Sequence, residues 1–143
     1  MFTKLYWHRE VCKGLKAQDI WGLWADVNNY LRWHNGLDYC KLEGDFVVGN
    51  YFTLKPKGAP PFKIFITELI KNRRFVDCTY FFGAKMYDIH ELEETPEGLR
   101  VTNTLKITGV LSFFWDWLIA RKVAAAVPHK MEALIGLARK KYE

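Results

Sequence analysis

The sequence predicts an α+β fold, a curved antiparallel sheet of about seven strands wrapped around a long C-terminal helix, with two short helices after the first strand. Three observations carry this reading. Ser112 to Lys141 repeats its apolar residues at helical spacing, most of the preceding chain alternates apolar and polar residues with period two, and only Ala17 to Trp33 breaks that alternation with a second helical pattern. At 143 residues the chain is one domain, 1–143, able to bury a core without disulfides or metal.

The elements follow in order. Phe2 to Cys12 alternates Leu5, Trp7 and Val11 against Lys4, His8 and Glu10, so the first set is expected on the buried face of a strand. Ala17 to Trp33 carries Ile20, Trp21, Leu23, Trp24 and Val27, then Tyr30, Leu31 and Trp33. Asp26 and Asn28 interrupt the pattern, which predicts two short helices. Strands are expected over Leu37 to Glu43 and Tyr51 to Lys55, the latter ending in the loop PKGAPP, whose prolines cannot donate to a ladder. Phe62 to Ile70 and Arg74 to Phe82 form a hairpin around Lys71, Asn72 and Arg73, and on the second strand Val76, Cys78, Tyr80 and Phe82 share a face. Gly83 turns the chain into Ala84 to Glu94, where Ala84, Met86, Asp88, His90 and Leu92 lie together. Thr95 to Gly98 turns it again into Leu99 to Thr108, with Leu99, Val101, Asn103, Leu105 and Ile107 on one face.

The final helix is expected to start at Ser112 as N-cap and to end at the basic residues Arg139 to Lys141, which suit the negative end of its dipole. Phe114, Leu118, Val127, Met131, Leu134 and Ala138 are assigned to its apolar face. Pro128 predicts a kink near Ala124 to Pro128, and Ala124 to Ala126 allow close approach or leave space.

Composition narrows the function. Half the residues are apolar and 16% aromatic, which excludes a disordered module and implies that something wide and apolar is filled or lined. Cys12, Cys40 and Cys78 have no CxxC spacing and read as reduced thiols. MFTKLYWHREV lacks the unbroken apolar core of an export signal, so a cytoplasmic location is expected. Val110 to Val127 has the length of a membrane span but carries Asp116, Arg121 and Lys122, at a cost of about 2.5–3.5 kcal/mol each in lipid. A net charge of +5, scattered in both signs, implies no nucleic acid. His8, His34, His90 and His129 show no HExxH spacing, and there is no GxxxxGK[ST] or GxGxxG, so neither metal nor cofactor is expected.

The segments IWGLWADVNNYLRWHNGL, LEGDFVVGNYFTLKPKG, FKIFITELIKNRRFVD and HELEETPEGLRVTNTLKITG, in that order before the last helix, resemble the START-like superfamily, whose fold is the helix-grip. They are most similar to its polyketide cyclase and dehydrase-like (SRPBCC) branch. The resemblance covers nearly the whole chain. It implies a deep apolar cavity between sheet and helix and no single reaction, since the superfamily includes carriers, sensors, chaperones and enzymes.

On that frame the expected ligand-binding residues are Trp33 beside the second short helix, and Phe52, Leu54, Ile64 and Ile66 on the first strands. Tyr80, Met86, Asp88, His90 and Asn103 follow on the next three, with Leu118, Val127 and Met131 on the helix. Asp88 and His90 leave the same face of one strand, and a carboxylate can orient an imidazole. They read first as a buried polar pair that hydrogen-bonds to neighbouring strands or fixes a ligand, and Asn103 either holds a ligand's polar end with His90 or makes a structural hydrogen bond. The alternative is an acid and base for a cyclase, dehydratase or aromatase, a lyase or isomerase needing no cofactor. The expected partner is a hydrophobic small molecule, a lipid, isoprenoid or polyketide-like compound. A third reading is an accessory protein that presents a quinone or lipid to a membrane complex. The KPKGAPP loop and Phe113, Phe114, Trp115 and Trp117 would form the cavity mouth, and Arg121 and Lys122 suit an anionic head group or transient membrane-surface contact. Oligomeric state is left open.

Overall fold

The computed structural model describes residues 2–143. The strands are β1 (Thr3–Cys12), β2 (Leu37–Leu42), β3 (Tyr51–Pro56), β4 (Phe62–Ile70), β5 (Arg74–Phe81), β6 (Ala84–Thr95) and β7 (Gly98–Thr108). They form one antiparallel sheet in the order β1-β7-β6-β5-β4-β3-β2, so the chain meanders from β2 to β7 and β1 closes on β7. Helix α1 (Ala17–Ala25) and a 3-10 segment (Val27–Arg32) follow β1, with the break at Asp26 where the sequence expects it. The C-terminal helix comprises α2 (Ser112–Trp115), a π turn (Asp116–Ala120), α3 (Arg121–Arg139) and a closing 3-10 turn (Lys140–Tyr142).

The core forms where the concave face of the sheet meets the helices. Ile20, Trp24 and Val27 pack with Phe52, Ile66, Phe75, Leu134 and Ile135 in the larger cluster. Met86, Leu105, Ile107 and Ala120 form a smaller one near the start of the helix. Each fully buried side chain of this size contributes about 1.5–3 kcal/mol. The far end of the helix is clamped as well. Asp19, buried on α1, accepts hydrogen bonds of 2.6 Å from both Lys141 Nζ and Tyr142 Oη.

Two local expectations differ from the structure. On β1 the faces are exchanged: Leu5, Trp7 and Val11 point outward, Trp7 69% exposed, while Tyr6, His8 and Glu10 turn toward the interior. An edge strand has one neighbour and less of its inner face covered, so apolar alternation alone does not fix its phase. Ser112 is not the cap. Its hydroxyl donates to Gly109 O or Phe2 O, tying the end of β7 to the N-terminus, and Leu111 holds the cap position. The irregular stretch of the helix is the π turn at Asp116–Ala120, and α3 continues through Pro128.

Candidate functional site

A cavity of about 360 Å³ lies between the concave face of the sheet and the C-terminal helix. That size falls in the range of small-molecule sites. Ten of the thirteen residues expected at a ligand site line it: Trp33, Phe52, Leu54, Ile64, Met86, Asp88, His90, Asn103, Val127 and Met131.

The other three lie elsewhere. Ile66 shares the inward face of β4 but is sealed in the larger core cluster. Tyr80 is 55% exposed on the outer face, edge-on to Phe65, because Phe75, Asp77, Thr79 and Phe81 are the inward residues of β5. Leu118 is exposed. It precedes Val127 by nine residues, and at about 100° per residue that places it on the opposite side of a helix. Ile119, Lys122, Val123 and Ala126 face the cavity instead. Pro56 and Phe62, flanking the PKGAPP loop, meet these helix residues and Phe81 around the same space.

The polar residues gather on one wall. Asp77 on β5 lies directly opposite Asp88 on β6, and His90, two residues further along β6, lies opposite Asn103 on β7. Directly opposed residues share a face of the sheet, so all four side chains reach the cavity. His90 Nδ1 is 2.9 Å from the Phe75 carbonyl. A carbonyl only accepts, so Nδ1 carries the proton and neutral His90 presents a bare Nε2. The ring stacks on Phe75 at 4.6 Å between centroids and 11° between planes, and Trp24 covers it at 5.3 Å. Asn103 Nδ2 donates to Asp88 Oδ1 and to Ile89 O. Asp88 Oδ1 also faces His90 Nε2 at 3.5 Å.

Asp77 was not among the expected site residues. Its residue is 7% exposed, and among the described residues its carboxyl makes no hydrogen bond. Burial, and then the negative charge of Asp88, push its pKa well above the ordinary carboxylate range, while Lys130 on the facing helix pulls the other way. A carboxyl held neutral in an apolar site can donate a hydrogen bond, to a ligand carbonyl for example. His34, next to Trp33, also lines the cavity. Burial, and then Lys130, lower its pKa to about 3, so it is neutral, and its Nδ1 is buried without a partner. The three cysteines are all buried, and burial pushes the Cys40 thiol up to about 12. None offers a nucleophile.

No protein-family model matches the sequence, and no curated protein sequence matches it. Solved structures do. A hypothetical protein of Helicobacter pylori is similar over 95% of this chain and 88% of its own, with a TM-score of 0.78 and 11% identity. Norcoclaurine synthase from Thalictrum flavum, solved with dopamine and hydroxybenzaldehyde, is similar over 97% of this chain and 88% of its own, with a TM-score of 0.76 and 12% identity. Ara h 8.0201 is similar over 97% and 99%, with a TM-score of 0.75 and 8% identity. The likeness at these identities is one of fold. The chain has the helix-grip fold, a seven-stranded antiparallel sheet curved around a long C-terminal helix. Among the described residues no helix is long and apolar enough to cross a membrane.

Proposed function

We propose that the protein binds a small, mainly apolar molecule in the cavity, with the molecule's polar group turned toward Asp77, Asp88, His90 and Asn103. The observation that carries this reading is the division of the cavity wall. Aromatic and aliphatic side chains from β3, β4, β5 and α3 line most of it, and Asp77, Asp88, His90 and Asn103 gather on one patch of β5, β6 and β7. Burial of apolar ligand surface would supply affinity, about 0.8 kcal/mol per CH₂, and the patch would select orientation. Norcoclaurine synthase, of the same fold, is seen in complex with dopamine and hydroxybenzaldehyde, which supports a cavity of this kind as a ligand site. Ligand identity, whether lipid, isoprenoid or polyketide-like, is decided by native mass spectrometry of freshly purified protein.

Met131 gives the direct test. It is buried on α3, lines the cavity and has a flexible side chain suited to more than one ligand shape. Met131→Trp is expected to weaken binding of an apolar fluorescent probe at least tenfold while leaving the melting temperature within a few degrees of wild type. Overpacking a solid core would cost about 1–3 kcal/mol instead. A clear fall in melting temperature with probe binding intact would place Met131 in solid core and defeat the reading.

A second reading is favoured by the surface beside the mouth. Phe82 is 84% exposed, and Val110, Phe113, Phe114 and Trp117 are exposed near it, joined through Trp115, which stacks on Phe81 and donates to Phe82 O. Arg121 and Lys122 follow on the same helix, and Lys122 reaches the cavity. Aromatic side chains next to cations suit a membrane interface, and ligand exchange there would fit an accessory role in presenting a lipid or quinone. Co-sedimentation with anionic vesicles that is lost in Phe113→Ser/Trp117→Ser would support it, and equal sedimentation of that variant would reject it.

A further inference from the structure

We infer that Asp77, Asp88 and His90 form a binding site for one divalent first-row metal ion, held by one oxygen of each carboxyl and Nε2 of the imidazole. The three donor atoms lie within 4.8 Å of one another on the cavity wall. Three features separate this cluster from a chance meeting of acids. Asp77 is more than nine-tenths buried and unpaired, and its carboxyl is aimed at the other two groups. His90 is set up as a ligand: Nδ1 donates to the Phe75 carbonyl, the partner that fixes a metal-binding tautomer, and Phe75 and Trp24 hold the ring plane. Asp88 is oriented by Asn103, whose Nδ2 donates to its Oδ1.

The Nε2 lone pair, Asp88 and the Asp77 carboxyl converge, and among the described residues the one side-chain hydrogen bond into the group comes from Asn103 Nδ2 to Asp88 Oδ1. At 3.5 Å, Nε2 and Oδ1 are about as far apart as two ligands on a tetrahedral ion with bonds of about 2.1 Å. Once metal binding displaces the Asp77 proton to solvent, two carboxylates and a neutral imidazole carry two negative charges, which a divalent ion cancels inside apolar walls. An ammonium group would leave one charge uncompensated. One nitrogen and two oxygens suit zinc, manganese or iron(II). The open coordination positions face the cavity, where Lys130 on α3 could hold an anionic group of whatever molecule occupied them. Spacing along the chain hides such a site, because two of its ligands are cross-strand neighbours.

The test uses untagged full-length protein, freed of metal with chelator and titrated with Zn²⁺, Mn²⁺ or Co²⁺. One equivalent is expected to bind and raise the melting temperature, with Co²⁺ giving a visible spectrum of low coordination number. Asp77→Asn and His90→Gln, checked for folding by circular dichroism, should each weaken binding at least about 100-fold. Should either variant fail to fold, electron spin resonance of Cu²⁺ on the wild-type protein replaces it, with coupling to a single imidazole nitrogen expected. Absence of one-equivalent binding overturns the inference. So does binding unchanged by Asp77→Asn, or a Cu²⁺ spectrum without nitrogen coupling, either of which marks an adventitious ion only. Stabilisation of the metal-free protein by an alkylamine, but by no metal, would also overturn it and make the cluster an ammonium site. Apolar-probe binding on the same samples reports separately on the proposed function, so either reading can fail without the other.

Discussion

Asp77→Leu is expected to make the metal-free protein more stable, an outcome that distinguishes a site residue from a structural one. The residue is 7% exposed and its carboxyl has no hydrogen-bond partner among the described residues, so the native state carries the cost of a polar group largely removed from water, about 1–3 kcal/mol. Leucine removes that cost and places apolar atoms in a cavity with room for them. For a chain of this length each kcal/mol moves the melting temperature by about 3–5 °C, giving a rise of roughly 3–15 °C at neutral pH. The pH dependence gives a second handle. The native carboxyl keeps its proton well above the ordinary range, while the unfolded chain releases it near pH 4, so unfolding releases a proton and rising pH favours the unfolded state. The disadvantage of wild type relative to Asp77→Leu should therefore be small below about pH 4, grow as pH rises, and level off above the native pKa. Thermal unfolding followed by circular dichroism in chelator, at several pH values, reads both effects. A variant less stable than wild type at every pH would show that the carboxyl makes a bond the fold needs. It would refute the view that β5 gives up stability here to keep a site open.

Two further predictions concern the frame of the site. His34, with a native pKa of about 3 against about 6.5 unfolded, contributes stability that is present above pH 6.5 and lost as pH falls toward 3. Discounted for its partial exposure, the loss between pH 7 and pH 5 should be about 1–2 kcal/mol and should vanish in His34→Phe. An equally steep decline in the variant would assign the acid sensitivity to other groups. Gly109 has φ of +130°, and a Cβ there would meet Gly83 O at 2.5 Å and the Ala84 Cα at 2.8 Å. Gly109→Ala should cost about 1–3 kcal/mol in urea unfolding, because both contacts are backbone and neither can swing aside. An unchanged urea midpoint would show that the turn into α2 is looser than this geometry.

What was legible in the chain, and what was not, follows from which faces are covered. Element order could be read because each strand is bounded by a turn residue, and the final helix because it buries Val127, Met131, Leu134 and Ala138 in one stripe. On β6 and β7 the inward phase was clear, since Asp88, His90 and Asn103 interrupt otherwise apolar rows whose ends, Met86, Leu92, Val101 and Leu105, are buried. On β5 that logic fails. Val76 and Cys78 are as buried on the outer face as Phe75 is on the inner, and Phe65 and Tyr80 pack together on that outer side, so alternation in apolar character points both ways. Taking Tyr80 as inward leaves Asp77 on the opposite face. The turn held better information. Phe81 pairs with Ala84 across a two-residue loop of Phe82 and Gly83, with Gly83 at φ of +73°. Counting back from such a loop sets Asp77 opposite Asp88, and opposed residues share a face. A tight turn thus fixes the phase of a strand whose composition does not, and here it brings the missing carboxyl to the wall where Asp88 and His90 already stood.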